Sequence, residues 1–343
     1  MESRKVYMDH GATTPLREEV LEAMMPFLRE KFGNPSSIHA QGREARQAVD
    51  AAREVVAAAL GAEPGEIFFT SGGTESNNIA LRGTAALKPK SHFITSSIEH
   101  HAVLDVCKDL EEQGHRVTFL PVDSNALVDP RVLEEAMTPD TAMVSVMMAN
   151  NEVGTIQPIG EMAALAREKG VLFHTDAVQA IGQIPVNVKE LQVDFLSLSA
   201  HKFNGPKGIG ALYVRKGVPL TPLYRGGGQE RKLRPGTENV AGIVGLARAL
   251  ELAVQELPEK MSRLKHLRDT LIKGLLKIED VILTGHPEQR LPGNVNVSFK
   301  YIEGESLLLS LDLQGVAASS GSACTSGSLD PSHVLMAMGL DHE

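Results

Sequence analysis

The chain has 343 residues, 42% of them hydrophobic and 22% charged, which suits one large domain with a smaller one attached. A formal charge of -9 argues against a general binder of nucleic-acid backbones. An aromatic content of 4% with no Trp argues against stacking platforms for single strands. No apolar run reaches the length of a membrane span, and the opening "MESRKVYMDHGATTPL" has no signal-peptide core. Two cysteines, Cys107 and Cys324, make no disulfide scaffold, so the expected compartment is the reducing cytoplasm.

The first residues read as an arm that crosses to the smaller unit. From there, short β-rich runs alternate with helical patterns. The predicted strands are 66–70, 92–96, 116–122, 142–149, 171–176, 195–199 and 210–214. In "HAVLDVCKDLEEQG", Val103, Val106, Cys107 and Leu110 share a helical face, which makes Cys107 structural. "IGEMAALAREKG" is a second helix, ended by Gly170. Strand–helix–strand repetition implies an α/β fold with a mostly parallel sheet covered on both faces. The short link between the last two strands makes them an antiparallel pair. A basic, glycine-rich loop follows, then a helical stretch over 239–278. "DVILTG", "NVNVSF" and "GESLLLSLDLQGV" read as strand, strand and helix of a smaller α/β unit. The expected division is 15–250 for the large domain and 1–14 plus 251–343 for the small one.

Five stretches could carry chemistry. "TSGGTESNNIAL" places Gly73, Thr74 and backbone N–H groups at a helix start, a geometry that receives a phosphate but lacks the spacing of a Walker loop or a dinucleotide fingerprint. By itself it is equally well an N-cap and a tight turn. "HTDAVQ" puts Asp176 at the C-terminal end of a buried strand, where open α/β sheets bind ligands. A carboxylate there needs a cation, such as the protonated ring nitrogen of pyridoxal phosphate (PLP), with Gln179 in reach of the ring oxygen. "SAHKFNGPKG" places Lys202 at another strand end, where burial and neighbouring charge would free its amine for a Schiff base, with Ser199 and His201 as phosphate donors. His100 or His101 opens a helix and could stack on a planar ring and shuttle protons, and Asn150, Asn151 and Glu152 stand at a further strand end. Cys324 lies in "SSGSACTSGS", a run of small residues without apolar periodicity, where an incidental cysteine and a nucleophile are equally open readings.

Taken in order, "DHGATTP", "FGNPSSIH", "TSGGTESNN", "EHHAV", "NNEVGTIQP", "HTDAVQ", "SAHKFNGPKG", "RPGTENV" and "SSGSACTSGS" strongly resemble the NifS/IscS-type cysteine desulfurases. These are class V aminotransferase-like enzymes of PLP fold type I. The resemblance runs from residue 6 to residue 340 and implies a PLP-binding large domain with a mixed, mostly parallel sheet. It implies Lys202 as the cofactor lysine, His100 as the stacking imidazole, Asp176 as the pyridinium partner and Gln179 as the phenolate-oxygen donor. Gly73, Thr74, Ser199 and His201 fall at the phosphate, and Thr237 matches a phosphate ligand given by the second subunit of a homodimer. Asn151 falls near the substrate carboxylate, and Cys324 matches the persulfide-carrying nucleophile. The implied reaction turns L-cysteine into L-alanine, with sulfur passed to an iron–sulfur scaffold protein or another acceptor. No metal, nucleic acid or membrane enters this picture.

Family members continue past the position of "MAMGLDHE" with a strand and an arginine that pairs with the substrate carboxylate. The sequence stops at Glu343, so the resemblance implies a small domain without its C-terminal end. Arg225, Arg231 or Arg234 are possible stand-ins. The alternatives kept open are a selenocysteine lyase or cysteine-sulfinate desulfinase of the same fold, and a low-activity dimeric sulfur-assembly scaffold.

Overall fold

The computed structural model describes residues 5–320 and 332–340. After β1 (Val6–Tyr7) come α1 (Glu18–Arg29) and α2 (Ala40–Leu60). In α2, Ala45, Val49, Ala52, Val56 and Leu60 are buried at helical spacing, and Gly61 ends the helix at φ 71°, a left-handed value that suits glycine. Then follow β2 (Ile67–Thr70), α3 (Gly73–Ala85), β3 (His92–Ser96), α4 (His101–Glu112), β4 (Arg116–Leu120), α5 (Pro130–Ala136) and β5 (Thr141–Ser145). They are succeeded by α6 (Ile159–Glu168), β6 (Leu172–Asp176), α7 (Val188–Leu191), β7 (Phe195–Ser199) and β8 (Gly210–Val214). The remainder holds α8 (Val240–Gln255), α9 (Leu257–Leu275), β9 (Val281–Leu283), β10 (Val297–Phe299), α10 (Gly304–Leu313), β11 (Val316–Ala317) and α11 (His333–Ala337). None of the described helices is long and apolar enough to cross a membrane.

The central sheet has seven strands in the order β2-β8-β7-β6-β5-β3-β4. Strands β3 to β7 run parallel, and β8 lies antiparallel between β7 and β2. Thr70, Ser96, Ser145, Asp176 and Ser199 therefore all end strands at one edge of the sheet. Two smaller sheets stand apart from it: β9 pairs antiparallel with β10, and β1 pairs parallel with β11.

The two faces of the sheet differ. On one, Ile94, Val144, Phe173, Leu196 and Leu198 join a single large core with residues of α2, α6 and α8. On the other, Phe93, Met143 and Phe195 pack with residues of α3 and α4. Toward the C-terminal ends of the strands this second face turns polar. The buried His174 ring bridges Ser145 Oγ at 2.8 Å and Ser197 Oγ at 3.0 Å. Burial holds that imidazole down to about 3, so it is neutral and acts as a cross-strand tie.

Several boundaries differ from the sequence-based expectation. Strand β5 ends at Ser145, where the Met147 N–H turns to the Glu99 carboxyl, although the Val146 and Met148 N–H groups still bond His174 O and Asp176 O on the β6 side. Strand β4 stops at Leu120, before Pro121, which has no N–H to give the ladder. The helical stretch expected over 239–278 consists of two helices, because Pro258 starts a new one at its first turn.

The free side of edge strand β2 is closed by a buried ion pair. Glu230 meets Arg53 at 2.7 Å, with side chains 2% and 7% exposed, and also accepts the Phe69 N–H at 2.9 Å. Arg53 donates to Ile67 O at 2.6 Å. Glu230, Arg231 and Lys232 all hold positive φ (42°, 53° and 69°), a strained run for residues with side chains. Removing one partner leaves a buried charge alone, so Glu230→Ala is expected to destabilise the fold by about 3–5 kcal/mol in chemical denaturation. A loss under about 1 kcal/mol would show that the pair is not what holds this edge.

Candidate active site

Asp176 closes β6 and is 6% exposed. Its Oδ2 accepts from Asn77 Nδ2 at 2.6 Å, and its Oδ1 from the Val178 N–H at 2.9 Å. Asn77 is fully buried on the first turns of α3, so one helix both caps the sheet edge and fixes the carboxylate. Among the described residues its two donors, an amide and a backbone N–H, are both uncharged, so this buried carboxyl group suits a cationic ring nitrogen as a partner.

Lys202 ends a 3₁₀ turn, Ala200–Lys202, directly after β7. Its Nζ donates to Gly11 O at 2.5 Å and Ala12 O at 2.9 Å. Gln179 Nε2 reaches the same Gly11 carbonyl at 3.0 Å. Thr14 stitches the arm down from both sides: its Oγ1 donates to His201 O at 2.8 Å and accepts the Asn204 N–H at 2.8 Å. Residues 11–14 thus lie on the lysine turn, while Met8 N–H bonds Ala317 O at 2.8 Å beside β11.

Next to Lys202 in the chain, His201 lines a cavity of about 380 Å³ that Lys202 itself does not line. Ser71 to Glu75, Ser199, His201 and Lys207 line it. It sits at the N-terminus of α3, whose first N–H groups have no partners within the helix and favour an anion. A Cβ on Gly72 would stand 3.6 Å from Ser199 Oγ, inside this space. A Cβ on Gly73 would meet Val178 Cγ2 at 2.5 Å, so glycine at this position lets the backbone come this close. Burial, with Lys202 and Lys207 adding to it, lowers His201 to about 4, so its ring is neutral.

His100 is the N-cap of α4, and its Nδ1 accepts the Ala102 N–H at 3.0 Å. Burial lowers its pKa; the Asp176 carboxylate works against that shift and the Lys202 ammonium adds to it. The ring is therefore neutral near pH 7, and with Nδ1 accepting, the proton is on Nε2.

Gly73, Thr74, Ser199 and His201 meet around the cavity. Lys202 and Gln179 converge on Gly11, which also lies against the Asn151 carbonyl. Asn150 rather than Asn151 makes the local turn, its Oδ1 accepting from the N–H groups of Glu152 and Val153, both at 2.9 Å. Thr237 is exposed and outside the cavity lining. Cys324 lies outside the described residues. Arg231 stacks 4.0 Å over Phe68 and Arg234 pairs with Glu75, so both are engaged elsewhere. Sequence reasoning missed Asn77, Glu75 and the role of residues 11–14. The "TESNN" and "DHGATTP" stretches carry them, but only tertiary contact gives them a task.

A family model described as aminotransferase class-V matches residues 6–340. The cysteine desulfurase IscS of Methanosarcina thermophila is 59% identical over 344 residues, covering 100% of this chain and 85% of its own. That of Dictyoglomus turgidum is 58% identical over 343 residues, covering 99% and 87%. Among solved structures, a NifS-like protein matches with a TM-score of 0.93 at 47% identity, over 99% of this chain and 91% of its own. One described as SspA in complex with cysteine matches at 0.87 and 40%, over 98% and 95%. The chain belongs to the cysteine desulfurases of the aminotransferase class-V family.

PLP is the cofactor of these desulfurases. The residues present fit it: an anion cradle that a Cβ would fill, a buried carboxyl group whose donors among the described residues are uncharged, and a lysine on the adjacent turn. Behind His100, the desulfurase buries Glu99 completely. Its Oε1 accepts from Ser96 Oγ at 2.5 Å and the Met147 N–H at 2.9 Å. Burial, with a smaller push from Asp176, raises this carboxyl to about 8. Burial likewise lifts the Cys107 thiol to about 12, which makes it inert.

The raised Glu99 has a consequence for stability. The folded state keeps a proton that the unfolded chain releases above pH 4.5, so this group costs stability as pH rises from 4.5 to about 8. Glu99→Gln keeps the neutral shape and removes the titration. Its melting temperature relative to the parent is expected to rise steadily across that window. A difference independent of pH would show that Glu99 does not hold its proton.

Proposed function

We propose that Lys202, Asp176, His100 and Cys324 carry the desulfurase reaction at the edge of the sheet where β6 and β7 end. Gly73, Thr74, Ser199 and His201 hold the phosphate of PLP, Gln179 and Asn151 face its ring and the substrate, and Thr237 reaches the site of a second copy. The observation that carries this reading is the convergence of a buried carboxylate, a lysine and an anion cradle on three neighbouring chain segments.

The reaction converts L-cysteine to L-alanine and leaves a persulfide. When bound, PLP supplies the electron sink that makes the Cα proton of the substrate removable. The Lys202 amine takes that proton at Nζ, and the turn Ala200–Lys202 brings it to the sheet edge. Asp176, both of whose oxygens are held by Asn77 and the Val178 N–H, would be the residue that holds the ring nitrogen and favours its protonated form. Neutral His100, with its proton on Nε2, can give a proton from that atom and take one back. The Cys324 thiolate attacks the substrate sulfur; the C–S bond breaks with its electron pair left on carbon, an S–S bond forms, and the carbon skeleton takes up one proton at Cβ and regains one at Cα to leave as alanine.

A homodimer is the reading we favour for the assembly. Phe32 and Ile38, between α1 and α2, are 76% and 91% exposed, more apolar surface than such a loop would present to water. The sulfur acceptor is expected to be an iron–sulfur scaffold or another carrier protein of the cytoplasm.

Alanine release from L-cysteine, with a thiol reductant present, tests the assignment. The parent chain is expected to release alanine and Cys324→Ser to lose at least about 100-fold of that rate. Equal rates would remove Cys324 from the mechanism and favour the desulfinase-like alternative, which does not need the thiol.

A further inference from the structure

The cradle at the start of α3 contains an acid. Glu75 lines the cavity that must receive an anion, and its side chain is only 9% exposed. One carboxylate oxygen takes the Ser71 N–H, a donor on the rim of the same cavity. The other accepts from Arg234 Nε at 3.0 Å. Arg234 comes from the distant loop between β8 and α8, so this contact exists only in the folded chain. Burial alone would raise the Glu75 carboxyl, but the Ser71 N–H and the Arg234 guanidinium outweigh it and hold Glu75 ionised.

Among the described residues that line the cavity, the positive charges that could offset Glu75 are few. His201 is neutral, and Lys207 is solvent-exposed. The helix terminus contributes partial charge, worth about half an elementary charge. Two like charges a few ångströms apart near a protein surface repel by several kcal/mol at the short-range limit, more than a helix end returns. An unpaired Glu75 would work against a dianionic phosphate.

Given the phosphate site assigned above, on which this rests, we propose that Arg234 is a positioning residue for the cofactor phosphate. By pairing with Glu75 it cancels a buried negative charge in the cradle while leaving the carboxylate in place to order the first turn of α3. Arg234 acts through Glu75 and does not itself line the cavity.

The test uses the apoprotein and two probes, PLP and pyridoxal, which lacks the phosphate, with binding read from their absorbance. Arg234→Met is expected to weaken PLP at least about tenfold and to leave pyridoxal within about twofold. Glu75→Gln is expected to keep PLP within about threefold of the parent or to tighten it, and the double variant to recover most of the loss. Equal losses for PLP and pyridoxal, or no recovery in the double variant, would overturn the charge-balance role. Should Arg234→Met fail to fold, Glu75→Gln decides: a tenfold loss of PLP there contradicts the proposal. A parent protein that binds PLP no better than pyridoxal would instead show that the phosphate site itself is misassigned, and the inference falls with it.

Discussion

Asp176 sits almost wholly out of water, with one oxygen on Asn77 and the other on the Val178 N–H. A carboxylate in that position costs several kcal/mol unless its environment is built to hold it. Much of the surrounding architecture serves that purpose. The parallel strands bring Asp176 to the sheet edge, α3 brings Asn77 over it, and the neutral His174 tie keeps β5, β6 and β7 in register one layer below.

The same sheet edge grades from apolar to polar over a few residues. On the face toward α3 and α4, Phe93, Met143 and Phe195 give way to Thr95, Ser145, His174 and Ser197, and then to Asp176 and Ser199. Each polar group in the middle layer has a partner at hydrogen-bond distance, including Thr95 Oγ1 on Ser145 O at 2.9 Å. The site thus rests on a satisfied polar floor rather than on a hydrophobic one. Above it, the arm of residues 11–14 lies across the lysine turn. Charge compensation recurs at its rim, where Glu75 meets Arg234, and again at the sheet's far edge, where Glu230 meets Arg53.

Much of this was legible in the sequence. Strands 92–96, 195–199 and 210–214 were readable to the residue, because the apolar-rich runs there are bounded by Ser97, the turn Ala200–Lys202 and Gly210. Asp176, Lys202 and the 71–74 cradle stood out because strand ends in open α/β sheets are where ligands bind. Other features could not be read. Asn77 is one polar residue in a helix, and nothing local says that it faces a carboxylate 99 residues away. Arg234 read as a possible stand-in for the substrate-carboxylate arginine until the fold set it on Glu75. Just past the end of β5 the backbone turns to a side chain, Glu99, from another strand's end, which periodicity does not see.

The central claim is that Lys202, rather than its neighbour Lys207 or any other amine, is the group that engages PLP beside Asp176. Borohydride reduction of the PLP-loaded protein, followed by proteolysis and mass spectrometry, tests it most directly. The expected result is a pyridoxyl group on the peptide carrying Lys202 and on no other. Label on Lys207 or elsewhere, or bound PLP that borohydride leaves unattached, would contradict the account.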